Sequence, residues 1–155
     1  MFVWNLLLAL GWAAFSGDFT LVNVLIGFVV GYAILYLAQP ITGRSRYTTK
    51  VPQLIGFMVY YVWLFILANL RIAYDIIRPN FQLRPGVIAI PLEARSDLEI
   101  VILANLITLT PGTLSLDVST DRRFLYIHAL YIDDIEKVRR EIKQGLEQRL
   151  LQVMR

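Results

Sequence analysis

A helical membrane region followed by a small α+β domain is the fold class this sequence predicts, and three observations predict it. The 155 residues are 57% hydrophobic and only 17% charged, with a mean hydropathy of +0.57, too apolar for an ordinary soluble domain. Residues 1–40 contain no Lys or Arg and one acid, Asp18, so all the positive charge behind the formal net +3 belongs to the rest of the chain. From Arg84 onward the long apolar runs give way to alternation and to steps of three and four, the periods of strands and amphipathic helices. The expected division is a membrane-embedded region over 1–78, with apolar segments at about 2–15, 20–38 and 53–77, and an α+β domain over 84–155.

The first segment, FVWNLLLALGWAAF, is helical in length, but about 14 residues rise only about 21 Å against a hydrocarbon core near 30 Å. It is marginal as a crossing. A cleaved signal peptide is the competing reading, weakened because no Lys or Arg precedes the run. After the turn-like SGDF, LVNVLIGFVVGYAILYLA is long enough to cross with little tilt. Gly27 and Gly31 form a small-xxx-small pair, as do Ala9 and Ala13, so two backbones can approach closely there. The pair suits either packing of segments 1 and 2 or a contact with another subunit. Asn5, Asn23 and Asn69 are expected to form interhelical hydrogen bonds.

GRSRYTTK, residues 43–50, reads as a basic loop before the third segment, LIGFMVYYVWLFILANL. That run continues into RIAYDIIRP, where Arg71 and Asp75 sit four apart and Arg78 precedes the stopping Pro79. Arg44, Arg46 and Lys50 precede the segment, while Arg71, Arg78 and Arg84 follow it, so the Lys/Arg comparison is a tie. The loop around Asp18 has neither residue, which favours that loop outside and residues 43–50 inside. Three full crossings would then put the C-terminal half outside. The parity reverses if segment 1 does not cross or segment 3 lies along the interface.

A globular part of about 70 residues is small for independent stability and gains from docking on a membrane or a partner. Pro85-Gly86 turns into the strand VIAIPL, and Ser96 with Glu99 gives a capping-box pattern before the helical run Ile100–Leu109. Pro111 cannot continue that helix, and Pro111-Gly112 suits the centre of a type II turn. Thr113, Ser115 and Asp117 then alternate with Leu114, Leu116 and Val118, a strand with one buried and one wet face. After TDRR, FLYIHAL returns as its hairpin partner. Asp133 or Asp134 can cap a last helix whose stripe is Ile135, Val138, Ile142, Leu146, Leu150 and Val153. Its other side, with Lys137, Arg139, Arg140, Lys143 and Arg149 among Glu136, Glu141 and Glu147, reads as solvated. The order strand, helix, strand, strand, helix is compatible with a small sandwich related to the ferredoxin-like split unit.

Several function classes find no support. No aromatic residues interleave with the basic ones, against a nucleic-acid groove. The absence of cysteine excludes disulfides, thiolate metal sites and cysteine catalysis. His128, the single histidine, lies among apolar strand residues, and Asp117 has no second carboxylate on its face, so no enzyme, cofactor or metal is expected. Proton transport needs ionisable groups inside the membrane, and segments 1 and 2 have none.

LTPGTLSLDV (Leu109–Val118), RPGVIAIPL (Arg84–Leu92) and the preceding apolar segments resemble the E subunit of Mrp-type multisubunit sodium/proton antiporters, over essentially the whole chain. The resemblance implies a small accessory component of a bacterial cell-membrane complex that exchanges cytoplasmic sodium for external protons. It further implies a cytoplasmic C-terminal region, with the other subunits and the lipid bilayer as partners.

Two functions of different class are open to such a chain. One is an assembly subunit without an ion pathway of its own, its contacts at Gly27, Gly31 and the turn Thr110, Pro111, Gly112 and Thr113. The other is a membrane-tethered regulatory domain that binds a small ligand or ion near that turn.

Overall fold

The computed structural model describes residues 1–42, 45–77 and 84–155. Gly43 and Arg44 of the basic stretch, and Arg78 with the stopping Pro79, lie outside the described residues. Contacts divide the chain into two compact units, Met1–Leu54 and Ile55–Arg155. The sequence expectation divides it instead at the polar stretch after residue 78.

In the first unit, α1 (Phe2–Ser16) and α2 (Leu21–Leu37) form an antiparallel hairpin, with a short α3 (Gln39–Thr42) after them. Gly17 ends α1 at φ 70, and the N–H groups of Gly17 and Asp18 close on the carbonyls of Ala14 and Ala13, a glycine cap. Asp18 accepts from the N–H and hydroxyl of Thr20, which starts the return helix. Ala9, Ala13, Gly27 and Gly31 are buried where the helices meet.

α4 (Arg46–Ile77) is longer than the sequence suggests, because Arg46–Lys50 are helical and Pro52 lies inside the helix. A proline there removes the donor for the carbonyl four residues back. That carbonyl belongs to Thr48, and Tyr32 Oη donates to it at 3.0 Å, so the gap is filled by a side chain from α2.

The second unit holds a three-stranded antiparallel sheet in the order β1-β3-β2: β1 (Gly86–Pro91), β2 (Thr113–Val118) and β3 (Phe124–Ala129). Between β1 and β2 runs α5 (Asp97–Leu109), and after β3 come α6 (Ile135–Arg140), a π-helical segment (Glu141–Glu147) and α7 (Gln148–Met154). The sheet buries Ile88, Ile90, Leu125 and Ile127 against Leu103 and Ile107 of α5 and Ile142, Leu146 and Leu150 of the C-terminal helix. Phe57 of α4 joins the same core at 6% exposure.

The α5 start follows the pattern that foretold it. Ser96 accepts from Glu99 N–H, and the Glu99 carboxylate accepts from Ser96 N–H. Arg155 adds a paired contact, Nε to Oε1 at 3.0 Å and Nη2 to Oε2 at 3.2 Å. Arg155, with the backbone N–H groups of Arg95 and Ser96, holds the Glu99 carboxyl down at about 2 against the opposing effect of burial. A depressed folded value means this stabilisation is complete above the unfolded value, about 4.3, and is lost as the pH falls through about 2. Melting temperature should therefore fall between about pH 4.5 and pH 2, and Glu99→Gln should flatten that slope while lowering stability at neutral pH. An unchanged slope in the variant would remove Glu99 from this role.

Two expectations are corrected. β2 forms, but its leucine face is the exposed one, with Leu114 at 45% and Leu116 at 50%. Thr113 and Ser115 point inward, as Val118 does past the bulge, and their hydroxyls donate to carbonyls of α5, Thr113 to Ile107 O at 2.6 Å and Ser115 to Ala104 O at 2.9 Å. A bulge between Ser115 and Asp117 leaves Leu116 outside the regular register. The second correction is Glu147, expected on a solvated face and fully buried instead.

Candidate functional site

Gly27 and Gly31 meet α1 of the same chain. A Cβ on Gly27 would stand 2.8 Å from Ala9 O and from Trp12 Cβ, and one on Gly31 would overlap Asn5 Oδ1 and reach Leu8 Cβ at 3.0 Å. The glycines therefore let the backbones touch. They also lie along an apolar groove of about 280 Å³ with Leu8, Gly11, Val30 and Ile34. Polar side chains tie α1 to the start of α4 at one end and to α2 at the other. Asn5 Nδ2 donates to Tyr47 Oη at 2.7 Å, and Trp12 Nε1 donates to Asn23 Oδ1 at 3.1 Å. Asn69, expected to reach another helix, bonds Phe65 O of its own helix.

The other predicted positions form the turn between α5 and β2. Thr113 N–H closes on Thr110 O at 3.2 Å, and Gly112 has φ +92, the conformation of the third residue of a type II turn. Thr110 Oγ1 donates to Leu106 O, and Thr113 Oγ1 donates to the carbonyls of Ile107 and Thr110. These hydroxyls complete the helix end, so they are not offered to an anion. Gly112→Ala is expected to cost about 1–3 kcal/mol from the positive φ alone, because the added Cβ would make only ordinary contact with the Tyr131 ring at 3.5 Å. Chemical denaturation of the variant measures this; an unchanged midpoint would mean the turn tolerates a side chain.

The turn floors a cleft of about 360 Å³ whose walls are α4, through Tyr60, Trp63, Leu64 and Leu67, and the C-terminal helix, through Val138, Glu141, Ile142 and Leu146. A shallower recess shares Tyr60 and Glu141 with it and adds Lys137, Arg140, Gln144, Gly145 and Arg149. Gly145 opens this place, since the Tyr60 hydroxyl lies where a Cβ would be. The π-helical segment bears Gly145, and Arg149 stacks over the Tyr60 ring at 4.3 Å from its centroid. Arg71 stacks likewise over Tyr131 at 4.1 Å. Tyr131 thus lies beside both Arg71 and Asp75, the two residues that sit four apart on the helix.

Sequence reasoning missed a charged knot at the start of the β1–α5 connection. Glu147 Oε1 accepts from the N–H groups of Glu93 at 2.6 Å and Ala94 at 2.9 Å, and Lys143 Nζ reaches Oε2 at 3.2 Å. Lys143 also donates to Pro91 O at 2.9 Å and pairs with Glu93 at 3.0 Å. Burial pulls the lysine down, but Glu93 and Glu147 outweigh it and leave its value raised. The i, i+4 spacing of Lys143 and Glu147 is visible in the sequence, whereas the two amides come from residues 53 and 54 positions away. Nearby, Arg95, Arg122, Arg123 and Arg155 surround a polar pocket. Three of them are committed to Asp97, Asp121 and Glu99. Among the described residues no group of three or more His, Cys, Asp or Glu side chains is arranged to hold a metal ion.

Comparison with known proteins finds a match over residues 5–153 to a family model described as Na+/H+ ion antiporter subunit. A protein of Alkalihalophilus pseudofirmus, named as the E subunit of a Na(+)/H(+) antiporter, is 36% identical over 149 residues, covering 96% of this chain and 94% of that protein. Its namesake in Bacillus subtilis is 34% identical over 151 residues, covering 97% and 96%. Among solved structures, a chain of the Mrp complex from Dietzia superposes with a TM-score of 0.52 at 27% identity, covering 66% of this chain and 96% of that one. A chain of the membrane-bound sulfane sulfur reductase, an archaeal respiratory membrane complex, gives 0.59 at 27% identity, covering 96% and 94%.

Proposed function

Since the chain belongs to the family of Na+/H+ antiporter E subunits, a transporter family rather than an enzyme family, we propose that it is an accessory assembly subunit of a multisubunit antiporter, with no ion pathway of its own. One observation carries the reading: apolar surface without a partner in the chain. Along α1 and α2, Trp4, Leu7, Val22, Leu25 and Val29 are exposed, and on the sheet Val87, Leu114, Leu116, Phe124 and Tyr126 form an open outer face. Lipid can cover the first; the second belongs to a globular domain, and such a patch marks a protein interface. We place neighbouring subunits on that sheet face and in the groove beside Gly27 and Gly31. The lack of Asp, Glu, His, Lys and Arg side chains in α1 and α2 supports a chain that carries no protons itself.

The proposed topology has two crossings, α1 and α2, with α4 along the interface and both termini cytoplasmic. By length and composition α4 is the candidate span among the described helices. Its stripe of Phe57, Tyr60, Tyr61 and Leu64 packs on the core of the C-terminal domain, however, and Tyr61 Oη donates to Leu106 O at 3.2 Å. A crossing by that stretch would draw a charged domain into hydrocarbon. The remainder, 46–56, rises only about 16 Å against about 30 Å. The helices α1 and α2 are short for a bilayer, which local thinning accommodates at modest cost. With two crossings, the Lys/Arg-free loop at Asp18 lies outside and the basic stretch before α4 inside, in keeping with charge bias. We read the β1-β3-β2 order, with α5 and the C-terminal helix on one face, as the three-stranded part of a ferredoxin-like split unit.

Mild-detergent purification of the tagged chain from its native membrane tests the function. Recovery with several large polytopic subunits in fixed proportion is expected. Recovery of a stable, monodisperse chain alone would favour a tethered ligand-binding domain, a reading weakened by the engaged hydroxyls of Thr110 and Thr113.

A further inference from the structure

The cleft beside α4 combines two chemistries that one molecule can satisfy together. Its walls at Trp63, Leu64, Leu67, Val138, Ile142 and Leu146 are apolar, around a volume of about 360 Å³. Water there would face mostly hydrocarbon, since Glu141 is the one charged residue of the lining and the Thr110 and Thr113 hydroxyls are engaged by carbonyls of the helix end. Directly adjoining is the cationic recess of Lys137, Arg140 and Arg149. Its cations are only partly answered: Arg140 meets Asp134 at 3.9 Å in an exposed pair, Arg149 stacks on Tyr60, and among the described residues Glu141 is the one acid lining the recess. Exposed pairs at that distance hold little energy, so the local field stays positive.

We propose that this cleft binds an anionic glycerophospholipid, with an acyl chain lying between α4 and the C-terminal helix and the phosphate at Lys137, Arg140 and Arg149. The assignment rests on the reading that α4 lies against the membrane, and it adds a specific lipid site to that surface. Charge complementarity selects the headgroup, since basic recesses at a membrane surface draw anionic lipid with each nearby cation adding to the attraction. The slot selects a chain, because each buried methylene adds to binding. A free phosphate would use the rim and leave the slot empty.

Trp63 on the cleft wall gives the readout. In full-length protein carrying Trp4→Phe and Trp12→Phe, Trp63 is the remaining tryptophan. Its fluorescence is titrated in detergent micelles with phosphatidylglycerol or phosphatidylcholine bearing brominated acyl chains. Phosphatidylglycerol is expected to quench at about tenfold lower lipid fraction. Lys137→Glu with Arg140→Glu, both on the surface, should abolish the preference, and Val138→Phe should weaken quenching by filling the slot. Equal quenching by the two lipids, or a preference that survives the charge reversals, overturns the site while leaving α4 at the membrane. Absence of quenching by either lipid overturns both.

Discussion

Gly31→Leu is expected to prevent α1 and α2 from closing and to remove the chain from its complex. The Cβ alone would overlap Asn5 Oδ1 and press on Leu8 Cβ at 3.0 Å. Asn5 cannot move aside freely, because it is fully buried and its Nδ2 holds Tyr47. The strain therefore passes to the backbones, which must separate and release the Ala9 and Ala13 contacts with them. Overpacking of this kind costs about 1–3 kcal/mol where side chains can adjust, and more is expected where the obstacle is a fixed amide beside a helix backbone. Copurified complex should fall at least about tenfold, the factor that 1.4 kcal/mol represents. Gly11→Leu separates closure of the hairpin from docking, since a Cβ there meets nothing within 4 Å in the chain while the residue lines the groove given above to a neighbouring subunit. The isolated hairpin should tolerate it. Wild-type recovery of complex with Gly31→Leu would show that the helices need not approach as described.

Glu147→Ala should be the most damaging substitution in the C-terminal domain. Removing the carboxylate strands the N–H groups of Glu93 and Ala94 and takes from Lys143 one of its two acidic partners. Breaking a buried pair by deleting one member costs about 3–5 kcal/mol, because the groups left behind stay desolvated. For a domain of this size that approaches the whole stability. Glu147→Gln should be milder, since its carbonyl oxygen can still accept from both amides while the amino group faces Lys143. The order wild type, Gln, Ala in denaturation midpoint is the expected result. Equal midpoints for Gln and Ala would assign the stabilisation to charge alone.

Local rules were readable in the sequence, and long-range choices were not. The capping box at Ser96 and Glu99, the type II turn at Pro111-Gly112 and the hairpin pairing all arise from residues a few positions apart. The orientation of β2 was misjudged because alternation gives the period of a strand without saying which face meets the core. The hydroxyls of Thr113 and Ser115 meet α5 carbonyls and turn the leucines outward. Glu147 has the composition of a solvated residue, and only the approach of the β1–α5 connection buries it. Gly27 and Gly31 announced close packing, but spacing alone does not name the partner, which here includes α1 of the same chain. The third apolar segment is long enough to cross a membrane, and what argues against a crossing is the stripe through Phe57 and Tyr61 packed on the domain.

Single-cysteine labelling of the assembled protein in cells and in inverted membrane vesicles tests the two-crossing topology, and the natural absence of cysteine makes the background clean. With a membrane-impermeant maleimide, Asp18→Cys should label only from outside, and Thr49→Cys and Glu136→Cys only from the cytoplasmic side. Labelling of Glu136→Cys from outside the cell would make α4 a third crossing and contradict the account.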